Sequence, residues 1–356
     1  MKRSAIIPIL ILIVLKVQGQ GNHVAMKGLL LNDSIKNDSI TFVKGLVPAK
    51  YFENANVSVP IIYNQFTLPG LDSYPQMYRV IFASDSGRRV WRWGVIFIDN
   101  TTTSLKLDYL KDECIYSDGA TASEFQKKFI PFMVGQNYDC SLNTFYELSS
   151  NEDSKFEYKL IEYVRKNPSS YVALWSLVER FSLFGHSTIK ESILKYFAQD
   201  IKRSKIWKTL SNDIHQALIK ENAQFPNMNL KTTQLNFSGL KIPKAKYVLL
   251  DYWFSRCRPC LDTIPYLKRL YSRYHKLGFE IVSVSTDKTR DVPIWQQRIR
   301  EYGLTWTQYL DENAIGANRL SINAFPTTFL LDSKGILIKK NISPAELEKL
   351  LKEKLK

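Results

Sequence analysis

The rhythm of apolar and polar positions changes twice along the chain before it reaches its last third. From about residue 20 to 118 the apolar residues come in short runs: Ala55-Asn56-Val57-Ser58-Val59 alternates, Tyr78 to Ala83 is rich in β-branched and aromatic residues, and Val90 to Ile98 ends at an Asp99-Asn100 turn. Such runs, bounded by turn residues, mark strands. They predict a small antiparallel β domain, a sandwich or barrel. From 119 to 223 the period lengthens. Phe125, Phe129 and Phe132 recur at helical spacing, as do Tyr158, Ile161, Tyr163 and Val164. Asn167-Pro168 interrupts the pattern, Tyr171 to Trp175 resumes it, and further helical stretches cover Thr188 to Phe197 and Lys205 to Leu218. A region of several short helices is expected, its aromatic stripe serving the core rather than a ligand groove.

Residues 224–246 hold Pro226, Asn227, Asn229, Gly239 and Pro243 and read as a linker. After it, strand and helix patterns alternate. Tyr247 to Phe254 is a nearly continuous apolar run, as for a strand covered on both faces. A helix follows with Leu261, Ile264, Leu267, Leu270 and Tyr274 on one side, then a strand from Phe279 to Ser285 and a helix from Val292 to Tyr302. Phe329 to Ile338 reads as a hairpin about Asp332-Ser333-Lys334-Gly335. Ser343-Pro344-Ala345-Glu346 starts a last helix with a capping box. The expectation for 247–356 is an α/β domain with a mixed sheet and crossover helices.

The first residues bear on compartment. Met-Lys-Arg precedes an apolar run from Ala5 to Leu15, and Val17-Gln18-Gly19 suits signal peptidase, so 1–19 is read as a signal peptide of an exported protein of the periplasm or cell envelope. The alternative is an uncleaved anchor, although the run has 11 residues and a span needs about 20. No cysteine near the cleavage region suggests a lipid-modified terminus. The formal charge is +15, but acidic residues interrupt the basic ones throughout and no basic helix with interleaved aromatics appears. Solvated faces account for this pattern. Nucleic acid is not an expected partner, and membrane contact is at most peripheral.

Four cysteines in 356 residues do not make a disulfide-built scaffold. Cys114 and Cys140 are 26 apart and are either a structural disulfide or two buried small residues. The pair in WFSRCRPCLDTIP, Cys257 and Cys260, lacks the second ligand pair of a zinc site, and His23, His186, His215 and His275 show no ligand spacing, so no metal is expected. A disulfide there closes too small a loop to constrain the unfolded chain much. The pair does sit where a strand hands over to a helix. Cys257 is thereby placed at a helix N-terminus, where unpaired N–H groups favour a thiolate. Arg256 and Arg258 add positive charge on either side. Cys260, a turn further in and expected to be the more buried, is placed to resolve a mixed disulfide.

Asp251, Trp253, Cys257-Arg258-Pro259-Cys260, Pro265 and Phe325-Pro326-Thr327 together resemble the active-site set of the thioredoxin family. The strings KYVLLDYWFSRCRPC, VSVSTD and FPTTFLLDSKG are most similar to the exported TlpA/ResA type of bacterial envelope reductases, over about Leu235 to the C-terminus. The resemblance implies a thioredoxin-like fold for 247–356, behind the β-rich and helical accessory regions. It implies Cys257 as nucleophile, Cys260 as resolving thiol, Asp251 as a buried acid that moves the proton of the second cysteine, and Pro326 as a cis-proline beside the dithiol. Pro259 stiffens the loop between the thiols. Trp253, Arg256, Arg258, Phe325 and Thr327 support the site. No cofactor is implied beyond the redox-active disulfide. The implied partners are protein thiols or disulfides as substrate and an upstream envelope electron donor.

The chain departs from the family pattern at Arg256, where tryptophan is usual, and at Thr263, where many envelope reductases carry glutamate. Leu261 after Cys260 rules out a haem-attachment motif. A peroxiredoxin-like antioxidant enzyme needs threonine or serine where Phe254 stands. The reading from another class is a ligand- or partner-binding envelope protein in which the thioredoxin-like domain is an idle scaffold. Between reductase or isomerase and oxidant, the resemblance favours the former, whereas the two arginines favour the latter by stabilising the reduced thiolate.

Overall fold

The computed structural model describes residues 26–30, 39–70, 73–83, 89–108, 114–135, 137, 154–322 and 324–355. The stretch read as a signal peptide lies outside them. Cys140 and the side chain of Cys114 lie outside them too.

The first strands are β1 (Met26–Leu30), β2 (Ser39–Val43), β3 (Asn56–Pro60), β4 (Gln65–Leu68), β5 (Gln76–Ala83), β6 (Arg89–Ile98), β7 (Ser104–Asp108) and β8 (Cys114–Ser117). They form two four-stranded sheets, ordered β3-β2-β5-β6 and β4-β1-β7-β8. The first is antiparallel throughout. The second has one parallel pair, β1 with β7.

Helix α1 follows at 120–134, its middle turn Phe125–Phe129 π-helical. Then come α2 (Ser154–Lys166), α3 (Tyr171–Phe184), α4 (Thr188–Tyr196), α5 (Gln199–Arg203) and α6 (Lys205–His215). One hydrophobic core runs from Met26 to Ile214 through both sheets and all these helices, so the described parts of the β-rich and helical regions share it as one accessory unit. The aromatic stripe is core, with Phe125 and Phe129 buried and Phe129 edge-on to Tyr163 at 4.9 Å. On α2 the buried face is Phe156, Leu160, Tyr163 and Val164, whereas Tyr158 is 58% exposed. Its spacing fits the stripe, but a helix turns 100° per residue, and Phe156 claims the inward direction instead.

Helix α3 is the centre of this unit. Ser170 caps it, accepting from the Ala173 N–H, and it is buried along nearly its whole length. Its charged residues are paired inside: Glu179 with Arg79 at 2.6 Å, and Arg180 with Glu157 at 2.8 Å. Buried charges persist only when partnered in this way.

The second unit holds a seven-stranded sheet, β10-β9-β13-β12-β11-β14-β15. Its strands are β9 (Asn229–Lys231), β10 (Phe237–Gly239), β11 (Tyr247–Trp253), β12 (Phe279–Ser285), β13 (Thr307–Leu310), β14 (Thr327–Asp332) and β15 (Leu337–Lys340). Its helices are α7 (Arg258–Tyr274), α8 (Val292–Tyr302), α9 (Ile315–Arg319) and α10 (Pro344–Lys354). Strands β11, β12 and β13 run parallel, and β14 pairs antiparallel with β11. The stretch read as a linker, 224–246, instead supplies β9 and β10, while Phe225, Met228 and Leu230 are buried in the core. Strands of three residues among Asn, Pro and Gly carry too little periodicity to be read.

Successive residues of β11 face opposite ways. Leu249 and Trp253 join a cluster with Cys257, Cys260, Ile264 and Leu267 of the α7 side, Trp295 of α8 and Leu347 of α10. Val248, Leu250 and Tyr252 join the other, with Phe225, Met228 and Leu320. Asp251 shares the direction of Leu249 and Trp253, and this places a carboxyl under α7. The capping box at Ser343 and Glu346 forms as the sequence predicts.

Candidate active site

Cys257 is the N-cap of α7, and Cys260 lies in its first turn. The two are joined in a disulfide. The Cys260 N–H donates to Cys257 Sγ at 3.2 Å, so one of the otherwise unpaired donors of the helix start is aimed at this sulfur. A donor and a helix dipole placed in this way favour the ionised form of a sulfur at that position. Exposure does not distinguish the two cysteines, because both are 3% exposed. The expectation that Cys260 is the more buried is therefore corrected: Phe254 and Phe325, in edge-on contact at 5.6 Å, pack against the cluster containing both. The asymmetry between the thiols resides in the helix start.

The loop before Cys257 is pinned from below by Asp287, a buried residue after β12. Its carboxylate accepts from the Ser255 N–H at 2.9 Å and from the Ser255 hydroxyl at 2.6 Å. The Ser285 hydroxyl donates to it as well. Arg256, the departure from the family pattern, pairs with Asp291 at 3.1 Å, and Arg258 pairs with Asp262 at 3.0 Å. Asp291 also takes Arg290 at 3.5 Å, and Arg256 and Arg258 are both largely exposed to solvent screening. Their support of a thiolate is correspondingly small. Replacing Arg258 by alanine is expected to change the alkylation rate of reduced Cys257 at pH 7 by less than about fivefold, since exposed pairs are worth under about 1 kcal/mol. A tenfold drop in stopped-flow alkylation would contradict this.

Asp251 is 6% exposed and lies directly opposite Ser283 across the β11–β12 pair. Burial pushes its carboxyl up to about 6, against the partial relief of a hydrogen bond from the Ser283 hydroxyl at 3.1 Å. The Trp306 indole N–H donates to that hydroxyl at 2.8 Å and orients it. Neither Ser283 nor Trp306 stands among the site residues that the sequence suggests. The alternation in VSVSTD, which sets serines at every second position of an apolar strand, was the available signal.

The Phe325–Pro326 peptide is cis. Pro326 lines a cavity together with Asp251, Thr263, Tyr266 and Thr328. Thr263, where related proteins carry glutamate, donates to the Cys260 carbonyl at 2.7 Å, so it belongs to the site without being an acid. Thr327 is buried and donates to the Ala324 carbonyl at 2.7 Å. Trp253 is buried in the cysteine cluster, and Pro259 stands exposed in the first turn of α7. Among the described residues no three His, Cys, Asp or Glu side chains converge as metal ligands.

A dithiol at a helix start, a buried carboxyl beneath it and a cis-proline beside it, on a sheet of this order, define a thioredoxin-like protein. The chain belongs to the thioredoxin-like family. A family profile described as thioredoxin-like matches residues 245–337. The thioredoxin-like protein YneN of Bacillus subtilis is 31% identical over 120 residues, 33% of this chain and 69% of that one. A thiol-disulfide oxidoreductase ResA of Bacillus thuringiensis is 31% identical over 111 residues, 31% of this chain, and the match spans 63% of that relative's length. Among solved structures, the thioredoxin domain of a thiol-disulfide oxidoreductase from Bacteroides vulgatus is 27% identical, covering 38% of this chain and 98% of that one, with a TM-score of 0.34.

Proposed function

We propose that this protein exchanges disulfides with protein thiols in the cell envelope, with Cys257 and Cys260 as the working dithiol. The observation that carries the reading is the Cys260 N–H directed at Cys257 Sγ from the start of α7, above a carboxyl held near neutrality. In the reducing direction, the Cys257 thiolate attacks a substrate disulfide, forming a mixed disulfide and releasing one substrate thiolate. Cys260 then gives its proton to Asp251 and attacks Cys257 Sγ. The Cys257–Cys260 disulfide forms, and the second substrate thiolate leaves and takes up a proton. The substrate gains two electrons and the protein loses two, which a second protein dithiol must return. The opposite direction uses the same steps reversed. Solvent screening of both arginines weakens the argument for a strong oxidant, so we favour reductase or isomerase. The envelope location rests on the charged and apolar pattern of residues 1–19. Among the described residues no helix is long and apolar enough to cross a membrane.

The test uses the full chain with insulin as substrate and dithiothreitol as donor. The protein is expected to accelerate insulin reduction, and Cys260→Ser to accumulate a mixed disulfide on Cys257, seen by non-reducing electrophoresis and peptide mapping. Absence of both, with the fold intact by circular dichroism, leaves the idle-scaffold reading standing.

A further inference from the structure

The cavity before Asp251 has a volume of about 300 Å3, and its wall is not built by the thioredoxin-like unit alone. Leu249, Thr263, Tyr266, Pro326 and Leu347 come from that unit, and Phe184 comes from the accessory unit. Phe184 is 8% exposed, yet it takes no part in the core of its own unit.

The ring is held from behind. Phe184 is the last residue of α3, and the Arg180 guanidinium lies over it at 4.4 Å. Arg180 is itself fixed by Glu157, to which Nε donates at 2.9 Å and Nη2 at 2.8 and 2.9 Å. At the next residue, Gly185 turns the chain with φ +69°, and a Cβ there would stand 3.0 Å from Lys340 Nζ on β15. The positive φ demands glycine there. An aromatic ring held by a buried ion pair on one unit thus lines the same cavity as a carboxyl on the other.

We propose that Phe184 is a positioning residue of the catalytic centre: it walls the cavity in front of Asp251 against bulk water, so that proton exchange with Cys260 depends on the seated accessory unit. This rests on the disulfide-exchange reading above. Burial is the dominant influence on the Asp251 carboxyl, and Ser283 alone offsets it through a hydrogen bond. Tyr266 on α7 also lines the cavity, and the charged groups next to its lining residues include Lys340 beside Gly185, Arg180 with Glu157 and Lys190 behind Phe184, His186 with Glu191, and Lys339 with Glu346 at the start of α10. Opening the wall hydrates the carboxylate and favours its ionised form.

The experiment uses the reduced full-length protein and 5,5′-dithiobis(2-nitrobenzoate). One thionitrobenzoate is released when Cys257 is modified, and a second when Cys260 closes the disulfide. The rate of the second release is followed from pH 4 to 8. In the wild type its acid limb is expected near 6, where the carboxyl titrates. In Phe184→Ala the limb is expected to move down by about one pH unit or more. In Phe184→Leu, which keeps α3 and part of the wall, it should move the same way by less. Asp251→Asn should lack the limb near 6 and follow only the ionisation of the Cys260 thiol. A lowered melting temperature with the limb unmoved in whichever Phe184 variant folds would reduce Phe184 to packing and overturn the proposal. No second release from the wild type would instead defeat the disulfide-exchange reading, so the two failures are distinguishable.

Discussion

Cys257→Ser is expected to lower insulin reduction by at least about 10³-fold, the scale of loss when a nucleophile is removed. In the reduced wild type, iodoacetamide at pH 7 should label Cys257 at least about ten times faster than Cys260, because a thiolate is the reacting form and a helix start favours it. The two residues are equally buried in the disulfide form, so the rate difference is expected to follow the helix start. Equal rates at the two sites would remove the physical basis for naming Cys257 the attacker. Faster labelling of Cys260 would reverse the roles.

Asp251→Asn is expected to lose activity and gain stability. Without a base for Cys260, closure of the disulfide should slow by about 10²-fold at pH 7, the lower range for a general base. Stability moves the other way. The folded chain holds this proton up to about 6 against an ordinary 3.8, so it binds the proton more tightly than the unfolded chain does. Asp251 therefore costs nothing below about pH 4, and its penalty grows as pH rises through about 6. That window is worth about 3 kcal/mol at most, the full conversion of the shift of a largely buried carboxyl. The variant should melt higher than the wild type at pH 7 and equally at pH 3.5. Unchanged stability at both, measured on the oxidised protein by calorimetry, would mean that the carboxyl is hydrated.

What the sequence discloses follows from how locally each feature is encoded. The dithiol, the strand before it, the Ser343 capping box and Pro326 are each contained in a few neighbouring residues. The partners of these residues are not. Ser283 meets Asp251 through strand register 32 residues away, and Asp287 reaches back over the same distance to Ser255. The arginines beside the cysteines look like free charge until Asp291 and Asp262 are placed against them. In the accessory unit the strands and the aromatic helices are visible as separate patterns. Their union in one core is visible only in space, because β1 pairs with β7 across more than seventy positions. The role of Phe184 is of this kind too: in the chain it is one more aromatic at helical spacing.

The segment joining the units also completes the sheet. Asn222 N–H donates to the Leu337 carbonyl, Leu337 N–H to Ala223, and Phe225 N–H to Gly335, sealing the outer side of β15, while β9 and β10 seal the far margin beyond β13. A fragment starting at residue 247 would thus be stripped of backbone partners along both borders, and unpaired borders recruit neighbouring molecules. Such a fragment is expected to self-associate with rising concentration in a way that the intact chain resists.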